Sequence, residues 1–369
     1  MKRFIVILAL FPLLPGLVFA QIELQNVAMV RLSKSQSISV KEFKDYVKWT
    51  GLSSVKADGL SNPEKEKLEE ARKAVLDTLC NQLLVCQAAE QEKVVVTDRE
   101  LNQQFNDQMK PLIDAFTRDR GRAPTDAELD TAFATMTGMT RAALKEQIRR
   151  SMIAEKYLQF KKQAILGQVK PPTDAEVQTL YNRDKAKSLF EGGFVRPDAV
   201  RIRMIWVPAV SASEKAAALN RATQLVQTIG GDPGKFDEVV NDAKPSLGYQ
   251  AGDGPYIYKH DQFRVSMGVD FYDTVFRLKQ GEVSKLLERP DGYYIVKVTE
   301  TYRQKTLTLE DIYALGNPMK ITVKQYIYAA ESQRRENEAR TKASEELVAE
   351  LKKRGSVQID NDIYKSIAW

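Results

Sequence analysis

The sequence has almost no histidine and very little cysteine. Its 369 residues include 1 histidine, His260, and 2 cysteines, Cys80 and Cys86. A single imidazole excludes zinc sites of the HExxH kind and any other site that needs two histidines. A Ser-His-Asp or Cys-His triad would have to use His260, and no nucleophile motif surrounds it. We therefore expect no metal, no cofactor and no hydrolytic triad, and we interpret His260 as a solvated loop residue.

Two further absences narrow the class of protein. The sequence has no GxxxxGK[ST] phosphate loop, so a nucleotide site is not expected. Cys80 and Cys86 fall in one helical stretch, where their separation along the helix is too large for a disulfide. We interpret both as small, partly buried apolar residues.

Neither sign of charge forms a long block. The chain has 55 Lys and Arg against 49 Asp and Glu, a formal net charge of +6. The longest basic run is Lys352-Lys353-Arg354, and no basic block is interleaved with aromatic residues, so nucleic-acid binding is not expected. With 43% hydrophobic and 28% charged residues, the composition is that of a soluble globular protein. The length leaves room for two or three domains.

Residues 1–20 have the features of a secretory signal. Two basic residues precede a short apolar core, and Val18-Phe19-Ala20 places small residues where signal peptidase cuts. Two prolines interrupt the core, which disfavours the alternative of a membrane-spanning anchor. We expect cleavage after Ala20, a periplasmic location, and no integral membrane segment in the mature chain.

Residues 21–190 are predicted to be helical. Asn62-Pro63 is typical of a helix start, and apolar residues follow it at helical spacing. Three further starts have a threonine and, three residues later, a glutamate, which is the pattern of a capping box. These pairs are Thr97 with Glu100, Thr125 with Glu128, and Thr173 with Glu176. Another amphipathic helix is marked by Leu144, Ile148, Met152 and Leu158.

Residues 195–303 change character. The segments 200–207 and 292–299 are rich in β-branched and aromatic residues and predict strands. A helix is predicted between them, over 213–229. This order indicates a small α/β or α+β domain. In the tail, 304–369, we predict a helix from about 321 to 354 and a last short strand at 356–361.

Several short motifs occur in a fixed order across the middle segment. They are the strand 200–207, Gly234-Lys235-Phe236, Ala251-Gly252-Asp253-Gly254, Met267 followed by Phe271, Gly281-Glu282-Val283-Ser284, and the strand that begins Gly292-Tyr293-Tyr294. In this order they resemble the elements of a parvulin-type peptidyl-prolyl isomerase domain.

The flanking segments extend the resemblance. A signal, a helical domain, the stretch Pro172-Thr173-Asp174-Ala175-Glu176, a parvulin-like domain and a C-terminal helix together resemble the SurA and PrsA class of extracytoplasmic foldases. The resemblance implies an α+β protein. Residues 21–190 would form a helical chaperone-like domain, with the helix and short strand of 304–369 packed against it. The parvulin-like α/β domain would be inserted at 195–303.

The resemblance also implies a site. Met267 and Phe271 match the proline-binding Met and Phe of the family, while Met204 and Tyr294 stand where the family usually has two histidines. We expect these four residues to bind substrate. Tyr294 can replace one hydrogen-bond donor, whereas Met204 cannot. As further candidates for catalysis beside Tyr294, the loop 242–246 offers two residues in place of the family's Cys or Asp: Asp242 and Ser246.

Ordinary packing is the alternative interpretation of these residues. Met267 and Phe271 are four apart, a spacing typical of the core-facing side of a helix. Tyr294 is equally typical of a half-buried strand.

Three functions from different classes fit the sequence. The leading hypothesis is an ATP-independent holdase chaperone for unfolded or nascent exported polypeptides, outer-membrane proteins among them, whose parvulin-like domain has lost most isomerase activity. The second is an active prolyl isomerase, because that reaction needs only an apolar pocket that favours the twisted amide. The third is an assembly protein that uses the fold to bind one stoichiometric partner.

Overall fold

The computed structural model describes residues 23–52, 55, 60–209, 211–367 and 369. They divide into two units. The first contains the residues up to Val169 together with Glu336–Trp369, and the second is Lys170–Arg335. The expected signal segment, 1–20, lies outside the described residues.

Helices and antiparallel strands both contribute, which confirms the α+β class. The helices are α1 (Val40–Trp49), α2 (Asn62–Gln91), α3 (Asp98–Arg120), α4 (Asp126–Thr137), α5 (Arg141–Leu166), α6 (Asp174–Asp184), α7 (Ala212–Ile229), α8 (Pro233–Asn241), α9 (Asp261–Met267), α10 (Val269–Arg277), α11 (Val323–Arg354) and α12 (Asn361–Ser366). The strands are β1 (Asn26–Arg31), β2 (Ser35–Ser39), β3 (Val195–Arg196), β4 (Ala199–Pro208), β5 (Gln250–Tyr258), β6 (Leu287–Arg289), β7 (Gly292–Tyr302), β8 (Lys305–Thr306) and β9 (Ser356–Ile359). Leu189–Glu191 and Pro245–Leu247 form short 3-10 helices.

The three predicted capping boxes are confirmed at the starts of α3, α4 and α6. In α3 the backbone N–H of Thr97 donates to Glu100 Oε2 over 2.9 Å, and the N–H of Glu100 donates to Thr97 Oγ1 over 3.3 Å. Helix α2 begins with the same device one residue before the expected cap. There the N–H of Ser61 donates to Glu64 Oε2 over 2.8 Å, and Pro63 stands in the first turn. Each box satisfies backbone donors that a helix start leaves without partners.

The prediction that 21–190 is helical throughout is wrong near its start. Residues 26–39 form β1 and β2, which belong to a three-stranded sheet in the order β2-β1-β9. The central strand β1 pairs antiparallel with both neighbours, and Val27, Ala28 and Val30 are buried. The short strand expected at the end of the chain is confirmed as β9.

The main core of the first unit draws on both ends of the chain. Val27 and Val30 of β1 belong to the same buried cluster as Leu76 and Leu83 of α2. The tail joins them through Ala343, Leu347 and Leu351, which lie four residues apart along α11. Residues four apart share one face of a helix, so α11 buries a continuous stripe.

A smaller cluster joins α3, α4 and α5 through Leu101, Phe133, Leu144 and Ile148.

The second unit is built on a four-stranded antiparallel sheet in the order β5-β4-β7-β6. One face of the sheet buries Ile205, Tyr293 and Ile295 together with apolar side chains of α7 and α8. On the other face Val296 and Val298 pack with side chains of α10. Neighbouring residues of β4 and β7 therefore belong to different cores, as the alternation of a strand requires.

The second unit is longer than the domain expected at 195–303. A separate core joins Val177 of α6 and Phe194 to Leu307 and to Val323 and Ile327 of α11. Residues 170–194 and 304–335 thus belong to the second unit because their apolar side chains are buried against one another.

The buried hydrogen bonds of Gln87 allow a test of what stabilises the first unit. It is fully buried on α2, and its Oε1 accepts from the backbone N–H groups of Leu32, Ser33 and Lys34 at 2.8, 3.1 and 3.4 Å. Its Nε2 donates to Gln36 Oε1 over 2.9 Å. We expect Gln87→Leu to lower the free energy of unfolding of this unit by about 2–3 kcal/mol, because it leaves buried polar groups without partners.

The measurement is urea unfolding of the full chain carrying Trp206→Phe, so that fluorescence reports Trp49 and Trp369 of the first unit. Gln91→Leu, at an exposed position of the same helix, is the control and should change stability by no more than about 0.5 kcal/mol. Equal stability of the two variants would contradict the role assigned to Gln87.

Candidate functional site

Four of the residues singled out in the sequence lie together on one face of the second sheet. In the β4–β7 register Met204 is opposite Val296 and Trp206 is opposite Tyr294. Met267, at the end of α9, and Phe271, on α10, pack into the same core as Tyr294. We call Met204, Trp206, Met267, Phe271 and Tyr294 the methionine–aromatic cluster.

The cluster has a buried part and an accessible part. Phe271 and Tyr294 are only 3% and 6% exposed. Their rings meet edge-on with centroids 5.7 Å apart. Met204, Trp206 and Met267 are half-buried. A ligand would therefore meet these three first, while Phe271 and Tyr294 form the wall behind them.

The Tyr294 hydroxyl is already engaged. It donates to Asp291 Oδ2 over 2.7 Å, and burial together with this hydrogen bond raises the pKa of Tyr294 above its ordinary value. The indole N–H of Trp206 donates to the backbone carbonyl of Asp291 over 3.2 Å. Since the phenol has one proton to donate, Tyr294 has no second donor for a ligand.

Asp291 lies in the tight turn between β6 and β7, where Arg289 pairs with Gly292. Gly292 has φ +140°, and a side-chain carbon there would lie 2.2 Å from the carbonyl oxygen of Val207. Only glycine fits this approach, so the turn is held against the end of β4. Sequence reasoning missed Asp291, although Pro290-Asp291-Gly292 just before Tyr294 is a turn signal.

Arg289 is a second residue that sequence reasoning missed. Its guanidinium carbon lies 5.1 Å from the ring centroid of Phe271 and 5.2 Å from that of Tyr294. Its Nε is 3.7 Å from Asp291 Oδ1. A cation is thus held over both aromatic rings of the cluster wall.

The structure does not bring Asp242 and Ser246 into this cluster. Asp242 ends α8, whose Phe236 and Val240 belong to the core on the opposite face of the sheet. Ser246 lies in the 3-10 helix that follows. Beside them is a cavity of about 400 Å³ lined by Pro208, Ala243, Lys244, Gly248, Tyr249, Gln250 and Ala251.

His260 has a structural role that differs from the expected loop residue. It caps α9, where its Nδ1 accepts from the backbone N–H of Gln262 over 3.2 Å. Its ring stacks on Phe190 with centroids 4.0 Å apart.

The two cysteines are free thiols on α2. Burial raises the pKa of both to about 11. A thiol in this state is a poor nucleophile at neutral pH. In the part of the chain that the structure describes, no group of three or more His, Cys, Asp or Glu residues is placed to hold a metal ion.

The first unit contains a groove among α1, α3 and α5, with a volume of about 390 Å³. Leu144 and Ile148 are buried at its base, Met152 is half-buried, and Trp49 is 44% exposed. Gln104 and Gln108 are exposed along α3. We call these six residues the glutamine groove. It offers apolar surface next to side-chain amides, which can both donate and accept hydrogen bonds.

Two family models match the chain. A SurA-like N-terminal domain matches residues 4–158, and a PPIC-type PPIase domain matches residues 172–314. The chain is of the SurA/PrsA type.

Curated relatives agree with this SurA/PrsA-type make-up. A foldase protein PrsA of Clostridium botulinum strain Hall is 23% identical over 247 residues, which cover 64% of this chain and 62% of that protein. The homologue from strain Loch Maree is 21% identical and covers 78% of this chain and 73% of that protein. The chain thus spans less than two thirds of the length of the first of these relatives.

Two solved structures have low similarity to this SurA/PrsA-type chain. One of two related SurA-like chaperones of Campylobacter jejuni is 12% identical, with a TM-score of 0.33, and 91% of this chain and 98% of that chain are covered. PrsA from Bacillus subtilis is 19% identical, with a TM-score of 0.25 and coverage of 90% and 95%. At these scores the superpositions add nothing to the argument from sequence.

The Tyr294–Asp291 hydrogen bond gives a test of the site's geometry. We expect Tyr294→Phe to lower the free energy of unfolding of the second unit by about 1.5–3 kcal/mol, the usual net contribution of a hydrogen bond to a charged group. The measurement is urea unfolding of a full chain in which Trp49 and Trp369 are replaced by Phe, so that Trp206 alone reports. Tyr293→Phe, on the opposite face of β7, is the matched control. If both variants lose the same stability, the hydrogen bond to Asp291 contributes nothing specific.

Proposed function

We propose that this SurA/PrsA-type protein is an ATP-independent chaperone that holds unfolded exported polypeptides, including outer-membrane proteins, in the periplasm. Its parvulin-like unit would bind X-Pro segments while having lost most isomerase activity. The domain make-up and the predicted signal segment support this proposal. Within the described ranges, no helix is both long and apolar enough to cross a bilayer.

The observation that carries the holding activity is the glutamine groove. Unfolded chains expose apolar side chains and unpaired backbone groups at the same time. Leu144, Ile148 and Met152 offer apolar contact, and the amides of Gln104 and Gln108 offer donors and acceptors for a peptide backbone. Trp49 adds an exposed aromatic surface. A groove of this kind suits many sequences rather than one.

Features of the second unit favour peptide binding but not efficient isomerisation of an X-Pro bond. The half-buried Met204, Trp206 and Met267 present an apolar surface that a proline ring can contact. Turnover needs interactions that are stronger with the twisted amide than with the planar one. Tyr294, the one candidate donor at the two usual histidine positions, donates its hydrogen bond to Asp291.

The holding activity can be tested by light scattering. We expect the full chain to suppress aggregation of chemically denatured citrate synthase without nucleotide. Trp49→Ala combined with Met152→Gln should weaken the suppression several-fold, because it removes apolar surface from the groove. Phe160→Ala removes an exposed aromatic ring of α5 that does not line the groove, and it should leave suppression unchanged. No suppression by the wild-type chain at several-fold molar excess would contradict the chaperone proposal.

The alternative is an active parvulin-type isomerase, and exchange NMR on an X-Pro peptide separates the two. With the full chain added, we expect cis–trans exchange to stay on its uncatalysed timescale of about tens of seconds. Clear acceleration that Met267→Ala removes would establish the isomerase instead. Acceleration that survives this substitution would remove the methionine–aromatic cluster as its site.

A further inference from the structure

Arg289 is the one cation that the structure places against both buried rings of the methionine–aromatic cluster within the described residues. Its side chain is 24% exposed, so it is neither a free surface residue nor part of the dry core. The guanidinium contacts two rings and one carboxylate, Asp291. Contact with two aromatic rings restricts the guanidinium and reduces the freedom that a ligand would have to restrict.

The hydrogen-bonding capacity of this guanidinium is poorly used. Its Nε is buried and has no hydrogen-bond partner. The 3.7 Å between Nε and Asp291 Oδ1 is an ion pair that is too long for a hydrogen bond. The other oxygen of the Asp291 carboxylate, Oδ2, accepts a hydrogen bond from the Tyr294 hydroxyl. A guanidinium has five N–H donors. The Arg289 guanidinium therefore has donors without a protein acceptor, and they lie beside an apolar surface.

The neighbouring side chains cannot supply a donor in its place. The Tyr294 hydroxyl donates to Asp291 Oδ2, and the Trp206 indole N–H donates to the Asp291 carbonyl. Met204 and Met267 have no donor. A peptide segment that places a proline ring on these methionines therefore has one cationic donor beside the cluster, Arg289, for its carbonyl oxygen.

We propose that Arg289 binds the carbonyl oxygen of the X-Pro peptide bond at the methionine–aromatic cluster. This rests on the proposed binding of X-Pro segments by the second unit. The proline ring contacts Met204 and Met267, and the guanidinium donates from the side of the β6–β7 turn. Arg289 is a binding residue here: it anchors the segment and need not accelerate isomerisation. The site would recognise the carbonyl oxygen and the proline ring, so the side chain of residue X can vary.

The test uses the full chain labelled with 5-fluorotryptophan and an Ala-Ala-Pro-Phe peptide. The ¹⁹F signal of Trp206 reports the cluster, whereas the signals of Trp49 and Trp369 report the first unit. We expect the peptide to shift the Trp206 signal. Arg289→Met, which keeps the length of the stem, should weaken the apparent affinity about tenfold, as expected for loss of one hydrogen bond from a charged donor.

Two further variants control for charge and folding. Arg289→Lys keeps the charge but loses the planar fork, and it should bind more weakly than wild type and more tightly than Arg289→Met. Arg221→Met removes an arginine from α7, a helix that packs on the opposite face of the sheet, and should bind as wild type does. An unshifted Trp206 signal in the free Arg289→Met chain shows that the cluster has kept its structure. If that signal moves, the role of Arg289 is judged only from the affinity of Arg289→Lys relative to the wild-type chain.

A thioamide peptide identifies the acceptor. Replacing the X-Pro carbonyl oxygen by sulfur weakens the acceptor, so it should reduce binding to wild type and leave binding to Arg289→Met nearly unchanged. Equal losses in the two proteins would overturn the assignment of this carbonyl. Unchanged or tighter binding by Arg289→Met would overturn the role of Arg289 while leaving X-Pro binding intact. A Trp206 signal that never shifts in the wild-type chain would overturn the proposed X-Pro binding itself, and the inference with it.

Discussion

The pairing of β1 with β9 is the constraint on which the first unit depends. β1 is the central strand of its sheet, so its backbone groups have partners on one side only until the tail of the chain has returned. The register runs from Ala28 opposite Ile359 to Arg31 opposite Ser356. Gly355 makes this register possible, because a side-chain carbon at that position would lie 2.7 Å from the carbonyl oxygen of Arg31. The closing contact joins residues from opposite ends of the sequence, so the loop-closure entropy must be offset by burial.

That burial involves the elements that also shape the glutamine groove. Leu347 and Leu351 of α11 pack in one core with Leu76 and Leu83 of α2 and Tyr157 of α5. Helix α5 then presents Leu144 and Ile148, nearer its start, to the cluster with α3 and α4. One helix thus anchors the groove at one end and the core at the other. A surface proposed to hold unfolded chains must expose apolar area without losing its own fold. Here the exposed Trp49 and half-buried Met152 lie beside a core closed by the chain's own tail.

Local features of the fold were predictable from sequence, and non-local ones were not. The capping boxes and the strands β4 and β7 follow from patterns within a few residues, and the structure shows them as expected. β1 and β2 were missed because they are short and because the pairing of β1 with β9 is a long-range contact that no local pattern reveals. At the site, the order of the motifs predicted four residues that the structure places on one face. Met267 and Phe271 are not on one helix, as their spacing suggested, because Gly268 separates α9 from α10. Arg289 escaped notice because its importance comes from the direction of its side chain across a hairpin, and Asp242 was a candidate because position along the chain does not reveal which face of a sheet a loop serves.

The polar chemistry of the cluster differs in kind from what two imidazoles would provide. An imidazole changes charge near pH 6.5, and it can donate and accept. A guanidinium keeps its charge across the accessible pH range and only donates. A segment held by Arg289 would therefore meet a guanidinium beside a wall of rings whose one hydroxyl donates to Asp291. On the proposal made above, such a site would recognise the carbonyl of an X-Pro bond and the proline ring. It would lack a donor that is free to engage the twisted amide at the position of Tyr294. Binding would then be separated from turnover within one site, as the proposed holding function requires.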